Sequence, residues 1–340
     1  MVSLENLLIA WDEFKIGKRN KKDVQIFEYN LEDNLFKMQQ NLINKTYQHS
    51  PYSEFFIRDP KLRHIHKATV QDRIIHHLIH QTINPAFEPA FIFDSYSCRK
   101  EKGTHKAIKR LENFARKVFQ THKKCFVLKC DIKKFFENIE HKILFQIIRE
   151  TIKDEDVLWL IREIINSFNG GNTPQNAHKG LPIGNLTSQL FANIYMNEFD
   201  QYMKHRLKVK HYIRYTDDFA ILHHNPDYLQ KLKNKIEIFL KNDLSLSLHD
   251  KKTKICKLSQ GIDFLGYVQL PYSRTLRAKT KRRMFKKLKN KIILFKQEKI
   301  SEQRLMQTIN SYLGILIHGN CYKLQQNIYH QVWTWIKEIQ

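Results

Sequence analysis

The sequence predicts an α+β protein, and three features carry that prediction. Residues 211–223, HYIRYTDDFAILH, set two adjacent acids between Tyr212 and Ile213 on one side and Phe219, Ile221 and Leu222 on the other. Such aromatic and β-branched runs mark two strands joined at a hairpin tip. Residues 125–131, CFVLKCD, are a short apolar run ending in an acid, the pattern of a buried strand. Around both, apolar side chains recur at helical spacing, as in Leu190, Phe191, Ile194, Tyr195, Phe199, Tyr202 and Leu207.

Composition narrows the partners. A chain of 340 residues with 42% apolar content is long enough for about two domains with a real core. Lys and Arg number 58 against 34 Asp and Glu, a formal charge of +24, which points to a polyanion and first of all to nucleic acid. The five cysteines, Cys98, Cys125, Cys130, Cys256 and Cys321, show no Cys-x-x-Cys pair and read as free, reduced thiols. No apolar run approaches the roughly 18 residues of a membrane span, and the Leu7 to Ala10 patch is bounded by Glu5 and Asp12. The expectation is a cytoplasmic protein with no membrane association.

Taken in order, residues 1–50 read as a helical scaffold, with Leu4, Leu7, Leu8 and Trp11 and then Leu31, Leu35, Met38 and Leu42 at helical spacing. Within 63–87, Val70, Ile74, Ile75, Leu78, Ile79 and Ile83 make one face of a helix expected to end before Pro85. His76 and His80 lie a turn apart there, but without a nearby Cys or an H-E-x-x-H pattern no zinc role is expected. Residues 91–103, FIFDSYSCRKEKG, turn from apolar to basic, so Arg99 and Lys100 either face a phosphate or lie in a solvated loop. A helix over 104–118 leads to the 125–131 strand, and HKILFQIIRETI is again helical.

Residues 169–189, NGGNTPQNAHKGLPIGNLTSQ, hold Gly170, Gly171, Pro174, Gly180, Pro182 and Gly184, the densest turn chemistry in the chain, and read as the flexible loop of a site. A helix near 229–240 follows the hairpin. From 271 to 297 there is no acid; Lys279, Lys281, Arg282, Lys286 and Lys289 cover one side of a helix, while Met284, Leu288, Ile292 and Phe295 line the other. In so basic a chain that helix is expected to contact nucleic-acid backbone, the alternatives being a solvated face or a membrane-surface element.

Asp217 and Asp218 are successive residues at a strand end, so their side chains diverge and only one points squarely at a given site. One carboxylate holds a divalent cation weakly, so a partner is required. Asp131, delivered at the end of the other buried strand, is that candidate.

In this order the pieces resemble the motif series of a reverse transcriptase, from about residue 63 onward. FVLKCDIKKFF resembles the motif with the first metal-binding Asp, and YTDD the Tyr-x-Asp-Asp box, with Thr216 where Met, Val or Ala is commoner. LHDKKTKI resembles the Lys-containing palm segment, GIDFLGY the primer grip, and TVQDRIIHHLI with SYSCRK the fingers motifs. The resemblance implies a right-hand polymerase fold: N-terminal extension and fingers over 1–124, palm with an antiparallel sheet over 125–270 (with fingers elements near 150–185), and a helical thumb over 271–340. Where many such enzymes carry Gln-Gly-x-x-x-Ser-Pro, this chain has IGNLTSQ, 183–189, which is similar to the reverse transcriptases of diversity-generating retroelements. Defence-associated and group II intron-like enzymes, and a catalytically silent RNA binder, stay open as alternatives.

What the resemblance implies for chemistry is specific. Asp131, Asp217 and Asp218, helped by the Ile132 carbonyl, would hold two Mg²⁺ ions, with Mn²⁺ as a substitute, for attack of a primer 3′-hydroxyl on a dNTP opposite an RNA template. Lys252, with Lys251 adjoining it, would protonate pyrophosphate. Arg99, with Arg63 and Lys67, would hold the triphosphate, and the Phe136 ring would exclude a 2′-hydroxyl. Ile183, Gly184, Gln189 and Tyr215 would lie along the template and nascent pair, Gly184 letting backbone approach closely. Lys281, Arg282, Lys286 and Lys289 would grip the RNA/DNA hybrid. Error-prone copying at template adenines and a small basic oligomeric accessory variability protein complete the implied picture.

Overall fold

The computed structural model describes residues 1–58, 61–169 and 178–338. Three helices open the chain: α1 (Leu4–Lys15), α2 (Lys22–Tyr29) and α3 (Leu31–Ile43). A hairpin of β1 (Ser53–Arg58) and β2 (Leu62–Lys67) precedes α4 (Val70–Phe87) and α5 (Thr104–His122). Then come β3 (Phe126–Asp131), the single turn α6 (Phe135–Asn138), α7 (His141–Thr151), α8 (Glu155–Asn166) and α9 (Leu186–Gln201). The acidic hairpin is β4 (Tyr212–Tyr215) and β5 (Asp218–His223), followed by α10 (Pro226–Leu244) and β6 (Lys254–Lys257). Short strands β7 (Ile262–Phe264), β8 (Tyr267–Gln269) and β9 (Arg274–Leu276) lead into α11 (Ala278–Lys296), α12 (Glu302–Leu316) and α13 (Tyr322–Glu338).

The central sheet has the order β4-β5-β3-β6, and every pair in it is antiparallel. Strand alternation assigns its two faces. Leu128, Cys130, Tyr212, Phe219 and Ile221 pack into one core with Ile194, Phe199 and Ile236 of α9 and α10. Val127, Ile213, Ala220 and Leu222 pack on the other side against Leu111, Phe114 and Val118 of α5. A sheet covered on both faces is why its strands read as near-continuous apolar runs. Caps set the flanking helices: Asn225 accepts from the backbone N–H groups of Asp227 and Tyr228, with Pro226 at the first helical position of α10.

The N-terminal helices belong to the same core as α4, through Leu7, Trp11, Phe14 and Met38 against Ile74, Ile75 and Ile79. Helix α4 does not stop before Pro85 but runs to Phe87. The proline falls in the last turn, where it removes only the one bond its N–H would give the Gln81 carbonyl, and burial of Ile83 and Phe87 offsets that loss and holds the turn in place. The expected helix over 104–118 likewise extends to His122, closed by Lys123 in the left-handed region. Of the loop expected around 169–189, residues 170–177 lie outside the described residues. The rest is tied down: Leu181 N–H donates to the Phe136 carbonyl at 2.7 Å, Gly180 N–H to that of Ile139 at 2.8 Å, and Lys179 pairs with Glu140 at 2.8 Å.

Near the C-terminus, β7-β8-β9 form a separate antiparallel sheet, and α11 to α13 pack around Met284, Leu288, Ile292, Leu305, Ile309 and Ile328. Among the described residues no helix is long and apolar enough to cross a membrane.

Both ring nitrogens of His76 face groups of the protein itself. The residue is fully buried in α4, its Nδ1 sharing a 2.7 Å hydrogen bond with the Thr187 hydroxyl and its Nε2 lying 3.3 Å from His49 Nε2. Burial, followed by the neighbouring His49, His77 and Arg73, pushes its pKa down to about 3. A folded-state value below the unfolded one means the neutral ring's contribution is intact above pH of about 6.5 and drains as pH falls toward 3. By pH of about 5 the loss is about 2 kcal/mol. His76→Gln is therefore expected to flatten the acid limb of a melting-temperature profile taken between those values. A limb as steep as wild type would assign the acid lability to other groups.

Candidate active site

Asp131 is the last residue of β3 and Asp218 the first of β5, and the antiparallel register sets them directly opposite each other. Asp217 occupies the turn before β5. That turn is held from several sides: Thr216 sits at φ +56°, its hydroxyl donates to Ser97 Oγ at 2.6 Å, and its carbonyl accepts from Arg214 Nη1 at 3.1 Å. The Asp217 carbonyl accepts from Ile132 N–H at 3.3 Å. Lys133 N–H donates to Ser247 and His249 N–H to Asp131, so the Ile132 carbonyl is left out of the ladder on either side of it.

The electrostatics are those of crowded acids. Burial, then Asp218 and Asp131, pushes the Asp217 carboxyl up to about 6. Asp218 is raised too, chiefly by burial, while Lys129, Lys252 and Lys61 pull the other way. Lys252, and not Lys251, reaches the acids, its Nζ 2.7 Å from Asp131 Oδ1. Two carboxyls held above their ordinary range beside a third mark a place where positive charge is in deficit. All three present hard oxygen donors, which fits divalent magnesium or manganese. Among the described residues, the one group of three whose ligand atoms all lie within 4.8 Å is instead Glu54, His64 and His66. The aspartates are spread more widely, as suits ligands of two ions about 3.5–4 Å apart.

A cleft of about 510 Å³ is lined by Glu54, Arg63, His64 and His66 of the β1–β2 hairpin together with Phe136, Leu181 and Ile183. Phe135 is core, while Phe136 is half-buried with its ring on this cleft. Gly184 has φ +120°, and a Cβ there would meet Ile65 Cγ2 at 3.0 Å. It approaches strand β2 closely, and the His66 N–H to Ile183 carbonyl bond at 3.1 Å seals that contact. Gln189 is exposed on α9, and the Tyr215 hydroxyl accepts from Thr104 at 3.2 Å.

Two residues expected at the triphosphate have partners within the protein. Arg99 spends its guanidinium on the protein: Nε and Nη2 lie 2.8 Å from Glu88 Oε1, and Nη1 donates to the carbonyls of Ile92 and Ser95. Its side chain is only 7% exposed, so the fork clamps a loop and does not face the cleft. Lys67 pairs at 2.7 Å with Asp23, which Arg73 also holds, and ties the hairpin to the N-terminal helices. Of the triphosphate candidates, only Arg63 lines the cleft.

Lys281, Arg282, Lys286 and Lys289 are exposed on α11, opposite the buried Met284, Leu288 and Ile292, and so form a cationic face apart from the acids. Lys289 Nζ lies 6.0 Å from the Trp335 ring.

Sequence reasoning missed three residues. Lys61 and Lys129 contribute positive potential at Asp218. Arg214 is fully buried and bonds bidentately to Asp200, also fully buried, at 2.6 to 3.0 Å, with further bonds to Asn193, Ser95 and the Thr216 carbonyl. The signal was available: alternation puts Arg214 on the inward face with Tyr212, and a buried cation demands an acid.

A family model described as reverse transcriptase (RNA-dependent DNA polymerase) matches residues 57–269. Protein YkfC of Escherichia coli K12 is 25% identical over 265 residues, covering 68% of this chain and 69% of that protein. The group II intron-encoded protein LtrA of Lactococcus lactis subsp. cremoris is 25% identical over 302 residues, covering 69% of this chain but 49% of its own length. The chain thus spans about half of the longer relative. Among solved structures, apo telomerase from Candida tropicalis superposes with a TM-score of 0.53 at 13% identity, over 73% of this chain and 53% of that one. Telomerase from Candida albicans, solved with a fragment of telomeric RNA, gives 0.50 at 12% identity, over 86% and 61%. At such identities the likeness speaks for the fold, which is the α+β right-hand polymerase architecture.

Proposed function

The chain belongs to the reverse transcriptase family, and from that premise we propose that it copies an RNA template into cDNA by two-metal nucleotidyl transfer. The observation that carries the reading is the convergence of Asp131 and Asp218 across the β3–β5 ladder with Asp217 in the adjoining turn, close enough that, after burial, Asp131 adds to the raised pKa of both Asp217 and Asp218. Mg²⁺ at the aspartates, aided by the Ile132 carbonyl, would stabilise the attacking and leaving oxygens. This chain's own residues do the rest. Lys252 neutralises Asp131 until metal and substrate arrive, and is then free to give a proton to pyrophosphate. Arg63 and Lys61 supply cationic charge from the β1–β2 hairpin, and the exposed cations of α11 take the backbone of the template–primer hybrid. N-terminal extension and fingers over 1–124, palm over 125–270 with fingers elements near 150–185, and thumb over 271–340 remain the division we favour, supported by a core in which α11 to α13 meet one another and Ile108 and Tyr267.

Within the family we favour a diversity-generating retroelement enzyme that makes errors at template adenines with the help of a small basic accessory protein. Support comes from the IGNLTSQ loop, in which apolar Ile183 lines the cleft where a polar side chain would grip the nascent pair; one such contact is worth about 1–3 kcal/mol. A group II intron-type enzyme is the second reading, favoured by the 25% identity to LtrA. Deep sequencing of cDNA made by the purified chain on a mixed-sequence RNA separates the two. Errors concentrated at template adenines are expected, and errors spread evenly over the four bases would leave the second reading standing.

The gate at Phe136 has its own test. Phe136→Ala is expected to raise ribonucleotide incorporation by about tenfold or more, because it removes the ring that a 2′-hydroxyl would strike. Discrimination between dGTP and GTP unchanged from wild type would move the gate elsewhere.

A further inference from the structure

We propose that Glu54, His64 and His66 on the β1–β2 hairpin form a binding site for a divalent transition metal of the zinc class, separate from the three aspartates. Alternation along β2 puts both histidines on one face, and the antiparallel register sets Glu54 directly across from His66. Glu54 Oε2 lies 2.9 Å from His64 Nε2, and Oε1 lies 3.7 Å from His66 Nε2. Tetrahedral ligands about 2.0–2.1 Å from zinc stand about 3.3 Å apart, and the two gaps straddle that value. All three ligand atoms fall within 4.8 Å of one another.

The donor chemistry selects the metal. Two imidazoles and one carboxylate suit zinc, cobalt or nickel over magnesium or calcium, and three protein ligands leave a fourth position open. Packing orients both rings: His64 stacks on Phe56 at 4.5 Å, and His66 stands edge-on between Tyr52 and Phe168. The buried His66 Nδ1 has no hydrogen-bond partner, so that ring is oriented by these contacts alone.

A two-stranded ribbon is marginal in water, and β1 is exposed along its whole length. A metal joining Glu54 to His64 and His66 would lock the register of the ribbon. That the locked ribbon steadies Arg63 over the cleft rests on the polymerase reading; metal binding itself does not.

The test is a Co²⁺ titration of the metal-stripped full chain, read by the visible absorption of four-coordinate cobalt. One equivalent is expected to give the band, Zn²⁺ to abolish it and Mg²⁺ to leave it. Glu54→Gln, His64→Gln and His66→Gln are each expected to weaken binding by about tenfold or more, while His122→Gln, whose ring stacks on His224 at 3.8 Å, leaves it unchanged. Melting curves establish that each variant folds. No band, or a band that survives all three hairpin substitutions, or an equal loss in the His122 variant, would overturn the proposal. Polymerase failure with the cobalt band intact would instead overturn only the proposed reaction.

Discussion

Replacing Asp217 with alanine is expected to abolish Mg²⁺-dependent dNTP incorporation on an RNA template while leaving circular dichroism and melting temperature near wild type. Asp217 sits in a turn whose backbone, not its side chain, makes the anchoring bonds to Ile132 and Arg214. Burial among Asp218 and Asp131 pushes its carboxyl up to about 6, so in the metal-free protein the charge at this position is a burden on the fold. Its removal leaves no cavity in the core and no buried partner unpaired. The loss therefore falls on chemistry. A metal ligand supplies several kcal/mol of transition-state stabilisation, and about 4 kcal/mol corresponds to about a thousandfold in rate. Activity within about tenfold of wild type would remove the two-metal assignment, whatever the fold likeness.

The parts of this site that the sequence displays are those written in local pattern. The opposition of Asp131 and Asp218 follows from two short apolar strands that each deliver an acid at one end, and the buried face of α11 from Met284, Leu288 and Ile292 at helical spacing. Contacts that depend on how distant elements meet are not written that way. Arg99 looks like a free fork in a basic run, yet Glu88 and two carbonyls claim it. Lys67 finds Asp23 only because α2 lies beside the hairpin. The packing of Gly184 against Ile65 depends likewise on where β2 lies beside the 183–189 segment. Glu54, His64 and His66 become neighbours only once the register of β1 against β2 is set, and no spacing rule in one dimension reports that.

Arg214→Ala is expected to destabilise the protein by about 3–5 kcal/mol, because it leaves the Asp200 carboxylate fully buried without a cation, with only the Tyr212 hydroxyl still donating to it. For a chain of this size that is a melting-temperature drop of roughly 5 °C. Arg214 does more than balance charge. Its Nη1 holds the Thr216 carbonyl, so it ties the turn that carries Asp217 and Asp218 to α9 through Asp200 and Asn193. The triple variant Arg214→Leu, Asp200→Leu and Tyr212→Phe separates the two roles, since the buried Tyr212 hydroxyl also donates to Asp200 at 2.6 Å and an apolar set of similar shape often matches or exceeds a buried ion pair in stability. It is expected to recover most of the melting temperature and little of the dNTP incorporation, because leucine cannot hold the Thr216 carbonyl. Incorporation restored in step with stability would mean that the pair serves the fold alone; a melting temperature unmoved by Arg214→Ala would mean that Asp200 finds another partner or a proton.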